Sequence, residues 1–100
     1  MDQPRQTRTV TVANCTGLHV RAALAIYNLA RQFQTQVEIV MDRQRASAGD
    51  MLHMLSLGAI PGQKLVLEAT GPQAEQALDA LAELFAAGFH EDDPQTGRRS

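Results

Sequence analysis

The apolar residues of this chain switch repeatedly between alternation and helical spacing within 100 residues, and that switching restricts the fold more than any single motif. From Thr7 to Ala13 the pattern alternates, with Val10 and Val12 on one side and Thr9 and Thr11 on the other, which predicts a half-buried strand. Turn-prone Asn14 to Gly17 ends it. From Val20 to Phe33 the spacing becomes helical, and Ala22, Ile26, Leu29, Ala30 and Phe33 gather into one core-facing stripe. Beside that stripe runs a second one, Val20, Leu24, Tyr27 and Arg31, which spacing alone leaves open as extra core or as a partner surface.

The alternation returns from Gln36 to Asp42 with Val37, Ile39 and Met41 on one face. Asp42-Arg43-Gln44 reads as a turn, and Arg45 to Ala48 as the returning strand of an antiparallel hairpin. Asp50 to Gly58 is short and apolar, with an acid suited to an N-cap at one end and a glycine at its exit, so a short helix is expected there. Pro61-Gly62 marks a turn before a fourth strand, Lys64 to Thr70, carrying Leu65, Leu67 and Ala69. Pro72 opens a last helix running to Ala87 or Gly88. Its expected buried stripe is Ala74, Ala77, Leu78, Leu81, Leu84 and Phe85, with Glu75, Gln76, Asp79 and Glu83 in water.

The resulting order is strand, helix, strand, strand, helix, strand, helix: an α+β layer in which an antiparallel sheet buries one face beneath helices. One domain is expected over residues 7–89, flanked by a loose polar N-terminus, residues 1–6, and a polar, disordered tail, residues 90–100. A chain that is 44% hydrophobic supports one small core and leaves no room for a separate nucleotide-binding domain. With 9 basic and 11 acidic residues and a formal charge of −2, it lacks the footprint expected of a nucleic-acid binder. The single cysteine, Cys15, excludes an intramolecular disulfide framework and suits a reducing compartment. Neither a secretory signal nor an apolar run of about 20 residues is visible, so a cytoplasmic protein is expected, without membrane insertion.

The stretch with chemical content is Asn14-Cys15-Thr16-Gly17-Leu18-His19-Val20-Arg21-Ala22-Ala23, which sets a histidine at a helix start. The first amides of a helix have no intrahelical acceptor, and the macrodipole makes that end partly positive, so an anion is stabilised there. A neutral imidazole is a nucleophile, and an arginine two residues on can add charge-assisted hydrogen bonds to a phosphoryl group. His-x-Arg by itself is too short to identify a site, and a solvated pair is its ordinary meaning. Cys15 and His19 are only two ligand types, against the four of a usual structural zinc site, so no metal is expected. His53 and His90 stand in no motif and are expected at the surface.

The segment Val12 to Ala23 resembles the phosphorylation-site signature of HPr, the histidine-containing phosphocarrier of the bacterial phosphotransferase system. Met54-Leu55-Ser56-Leu57-Gly58 resembles the end of that family's short second helix, and the element order agrees from about Thr7 to Phe89. The resemblance implies an open-faced β-sandwich: a four-stranded antiparallel sheet covered on one face by three helices. It also implies that His19 accepts a phosphoryl group on Nδ1 from phosphorylated Enzyme I, itself charged by phosphoenolpyruvate, and passes it to an enzyme II A-domain or related acceptor. Arg21 and the backbone amides of Val20 and Arg21 surround the phosphate in that reading. The docking surface maps to Val20, Arg21, Leu24, Arg31, Met51, Leu52 and Leu55, bordered by Tyr27. The carrier is expected as a monomer without cofactor, turning over no free substrate.

Two positions depart from the family pattern. Ala22 stands where many members have proline, which gives up a fixed φ but keeps a strong helix former. Asp50 stands where many members carry a regulatory serine. Its plain role is an N-cap worth about 0.5–2 kcal/mol. The alternative is a partial phosphoserine mimic that weakens docking to Enzyme I, which keeps open a regulatory binding module, including a nitrogen-related branch.

Overall fold

The computed structural model describes residues 4–91. Four strands and three helices follow in the expected order: β1 (Gln6–Thr11), α1 (Val20–Ala30), β2 (Gln36–Met41), β3 (Gln44–Ser47), α2 (Met51–Ser56), β4 (Lys64–Thr70) and α3 (Ala74–Ala86). A short 3₁₀ turn, Gly88–His90, follows α3. The sheet order is β1-β4-β2-β3 with every neighbour antiparallel. β1 and β2 are therefore parallel with β4 between them, and β3 and β4 are parallel with β2 between them. These are two interlocked split βαβ units running in opposite directions. Right-handed crossovers then place α1 and α2 on the same face of the sheet.

That face is the core. Val10, Val37, Ile39, Ala46, Leu65, Leu67 and Ala69 alternate inward along the strands to meet Ala22, Ala23 and Ile26 of α1, Met54 of α2, and Ala74, Ala77, Leu78, Leu81 and Phe85 of α3. Full burial of each large side chain contributes about 1.5–3 kcal/mol, which makes this layer the main source of stability. Leu29, Phe33 and Leu84, expected in the buried stripes, lie half-buried at its margin. At the edge strand β1, Arg8 reaches Asp79 of α3 at 2.5 Å. On the open face, Arg45 bonds Glu38 and also Glu68 at 3.1 Å, while Arg5 lies 3.6 Å from Glu68.

Several boundaries differ from the sequence reading: β1 ends at Thr11, β3 takes in Gln44, and the last helix begins at Ala74, past Pro72. Gln6, expected in the loose N-terminus, already pairs with Ala69. The first helix stops at Ala30, not Phe33, because Gln73 captures the next loop: its side chain accepts from the Gln34 amide at 2.7 Å, and its own amide donates to the Gln34 carbonyl at 3.1 Å. At the other end, His90 closes the 3₁₀ turn and Glu91 bonds into the domain, where a polar tail was expected from residue 90. The remainder of that tail, residues 92–100, lies outside the described residues.

Candidate functional site

The site begins where β1 ends. Val12 is held by the 60–63 loop, donating to the Gln63 carbonyl at 2.9 Å and accepting from the Gly62 amide at 2.8 Å. The chain then turns through Asn14 to Leu18. Gly17 has φ +75°, and a Cβ built there falls 2.7 Å from the Ala59 carbonyl oxygen, so only glycine fits both the backbone and the gap. Leu18 is buried and its amide donates to that same carbonyl at 3.1 Å. With Leu18 fixed inward, His19 is left at the rim as the N-cap of α1, in extended conformation.

Both ring nitrogens of His19 are engaged. Nδ1 accepts from the Arg21 amide at 3.2 Å. The Val20, Arg21 and Ala22 amides precede the first helical bond, Ala23 to the His19 carbonyl at 2.8 Å, so this end of α1 has donors to offer an anion. Arg21 is exposed beside it. Nε2 lies 2.8 Å from Oε2 of Glu91. The other carboxylate oxygen, Oε1, accepts from the Thr16 hydroxyl at 2.7 Å and from the Asn14 side-chain amide at 3.0 Å. Asn14, itself buried, also donates to the Gly17 carbonyl at 2.7 Å, and its Oδ1 has no partner among the described residues. Burial pushes the Glu91 carboxyl up, but the bonds from Thr16 and Asn14 and the neighbouring His19 outweigh it, leaving the group below its ordinary value.

Glu91 reaches this position through backbone that few side chains adopt. Gly88, Phe89 and His90 have φ of 61°, 59° and 59° in succession. Left-handed geometry costs about 1–2 kcal/mol for each non-glycine residue. Burial of Phe89, whose ring meets Phe85 edge-on at 4.8 Å between centroids, offsets that cost. Sequence reading missed Glu91, which lies 72 residues from His19 in a segment with no periodicity.

His19, Arg21, Cys15, Thr16, Asn14 and Glu91 share the wall of an open cavity of about 530 Å³. Among the described residues, no three His, Cys, Asp or Glu side chains are grouped to hold a metal. The expected docking strip divides: Val20, Leu24 and Leu52 are exposed, the last by 80%, whereas Met51, Leu55 and Tyr27 are half-buried against the core. Arg31 stacks over the Tyr27 ring at 5.4 Å. Ile60, exposed on the loop that abuts Gly17, is an apolar surface residue that the sequence reading did not single out. Asp50 is the N-cap of α2, its Oδ1 accepting from the His53 amide at 3.1 Å. His53 and His90 are both exposed.

The model of the PTS HPr component phosphorylation site matches residues 6–87. The chain belongs to the PTS-HPr family. Phosphocarrier protein NPr of Escherichia coli (strain K12) is 37% identical over 86 residues, which cover 85% of this chain and 96% of the relative. Phosphocarrier protein HPr of Cupriavidus necator is 34% identical over 84 residues, covering 84% and 94%. The crystal structure of HPr-C-His from Thermoanaerobacter tengcongensis superposes with a TM-score of 0.82 at 31% identity, covering 88% of this chain and 99% of that one. The protein is thus an HPr-family phosphocarrier with the open-faced sandwich of that family. Glu91 lies beyond the matched span, which stops at residue 87.

Proposed function

We propose that this phosphocarrier accepts a phosphoryl group on Nδ1 of His19 from phosphorylated Enzyme I and passes it to an enzyme II A-domain or a related acceptor. The observation that carries the reading is the 3.2 Å bond from the Arg21 amide to Nδ1, which points a nucleophilic lone pair toward the donor-rich start of α1. On transfer, that amide turns from the ring to a phosphoryl oxygen, the free amide of Val20 donates to another, and the Arg21 guanidinium adds charge-assisted bonds. The partner surface is Val20, Arg21, Leu24, Arg31, Met51, Leu52 and Leu55, with Tyr27 at its border. Incubation with phosphoenolpyruvate and the cognate Enzyme I should give acid-labile, alkali-stable labelling of the wild type. Equal labelling of His19→Ala sinks the assignment.

A second reading concerns the branch served. The 37% identity to a phosphocarrier named NPr supports a nitrogen-related, regulatory branch over sugar uptake. Asp50 agrees with it, since an aspartate cannot receive phosphate from a serine kinase. Comparing acceptor enzyme II A-domains of the two branches for label taken from the phosphorylated carrier separates them.

A further inference from the structure

We propose that Glu91 is a positioning residue for phosphoryl transfer, holding the His19 ring by Nε2 and compensating the positive charge that the ring gains as Nδ1 attacks phosphorus. The inference rests on the carrier reading of His19. An ionised carboxylate only accepts hydrogen bonds, so a 2.8 Å contact with Oε2 requires the proton on Nε2. The ring then has one tautomer available, with its lone pair on Nδ1, where the Arg21 amide meets it. The two contacts demand the same tautomer from opposite edges of the ring.

The electron balance shows where Glu91 acts. The Nδ1 lone pair forms the new N–P bond, while the bond between phosphorus and the donor breaks and its pair leaves with the donor. No proton moves in that step. The neutral ring thereby becomes a phosphoimidazolium whose positive charge is shared with Nε2–H, beside the Glu91 carboxylate. Because the attack consumes the lone pair, it also removes the Arg21 amide's hold on the ring. Of the two ring contacts, only the one to Glu91 survives, and it strengthens as the charge develops. On return transfer the N–P pair goes back to Nδ1 and the amide bond re-forms.

The carboxylate is built for this role. Thr16 and Asn14, from the loop that carries His19, bind its other oxygen, so one loop sets both members of the pair. Phe89 anchors the turn that delivers it. The carboxylate sits at Nε2, away from the attacking Nδ1, which faces the Arg21 amide.

The test compares wild type, Glu91→Ala and Glu91→Gln as full-length proteins, with folding checked by amide NMR spectra. Glutamine keeps a carbonyl acceptor for Nε2–H but lacks the charge. Nitrogen-15 spectra of the His19 ring should show the Nε2–H tautomer in wild type and Glu91→Gln, and loss of the protected Nε2 proton in Glu91→Ala. With phosphorylated Enzyme I as donor, the initial labelling rate should fall roughly tenfold or more in Glu91→Ala, the scale of a charge-assisted hydrogen bond lost from a transition state. Glu91→Gln should lie between. Phosphoramidate, a small P–N donor that needs no docking surface, should give the same ranking. A labelled wild type with Glu91→Ala at the same rate overturns the proposal, and full rescue by glutamine overturns the charge compensation. A wild type that takes no label overturns the carrier reading and this inference with it.

Discussion

Two helices of this protein begin with a side chain turned back on its own amides, and they do so for opposite ends. At α2 the cap is Asp50, a permanent anion whose oxygen holds the His53 amide. At α1 the cap is His19, a poor residue for the position by ordinary preference, and its Nδ1 holds the Arg21 amide. The aspartate closes its helix end for good. The histidine leaves its end capped only until a better acceptor arrives, and in the proposed transfer the phosphoryl group is that acceptor. A weak cap is what the proposed reversible site requires.

Exchanging the α1 cap breaks the comparison most severely. His19→Asn keeps a side-chain acceptor for the Arg21 amide but has no nucleophilic nitrogen. Labelling should vanish while urea-unfolding stability stays within about 1 kcal/mol of wild type. Next in size are the glycines that precede each cap. Gly17→Ala, with φ +75° and a carbonyl 2.7 Å from the new Cβ, should destabilise by about 1–3 kcal/mol. Gly49, whose φ is not left-handed and whose Cβ would meet only the Ser47 hydroxyl at 3.4 Å, should tolerate alanine within about 1 kcal/mol. Parallel thermal melts of the two variants read the difference, and equal losses would remove the special status of the first loop.

Removing the second cap comes after that. Asp50→Ala should lower stability by about 1 kcal/mol, or about 4–8 °C in Tm, while His19 remains labelled. Asp50→Ser restores the cap, so any gain in labelling by Enzyme I beyond wild type measures docking relieved of the charge. The smallest effect is acidic. Since the folded Glu91 carboxyl lies below its ordinary value, its contribution to stability is fully present above the unfolded pKa of about 4.3 and is lost as pH falls through the folded one. Glu91→Gln should flatten that part of the stability profile, and an unchanged acid limb would show the carboxylate unpaired.

Most of the layer was legible because its causes are local. Val37 and Ile39 alternate, Ala22 and Ile26 repeat at helical spacing, and Asp50 announces a cap three residues before the amide it binds. The His19 motif was legible through its resemblance to a family, since a lone His-x-Arg says little. What escaped was decided by distant chain. Arg31 to Phe33 contain no helix breaker, and the helix stops because Gln73, on the other side of β2, β3 and β4, takes the backbone of Gln34. Glu91 looks like the first acid of a polar tail until a left-handed turn with neither asparagine nor glycine at Phe89 and His90 swings it onto the imidazole.

That closing turn also sets when the surroundings of His19 are assembled. Chains emerge from the ribosome N-terminus first, so the His19 loop and α1 are made early, yet β1 waits for β4 to pair with it, and the imidazole waits for residue 91. A nascent chain halted anywhere earlier carries His19 without its Glu91 contact. The His19 ring therefore meets its carboxylate partner only after every strand and helix of the layer has been made.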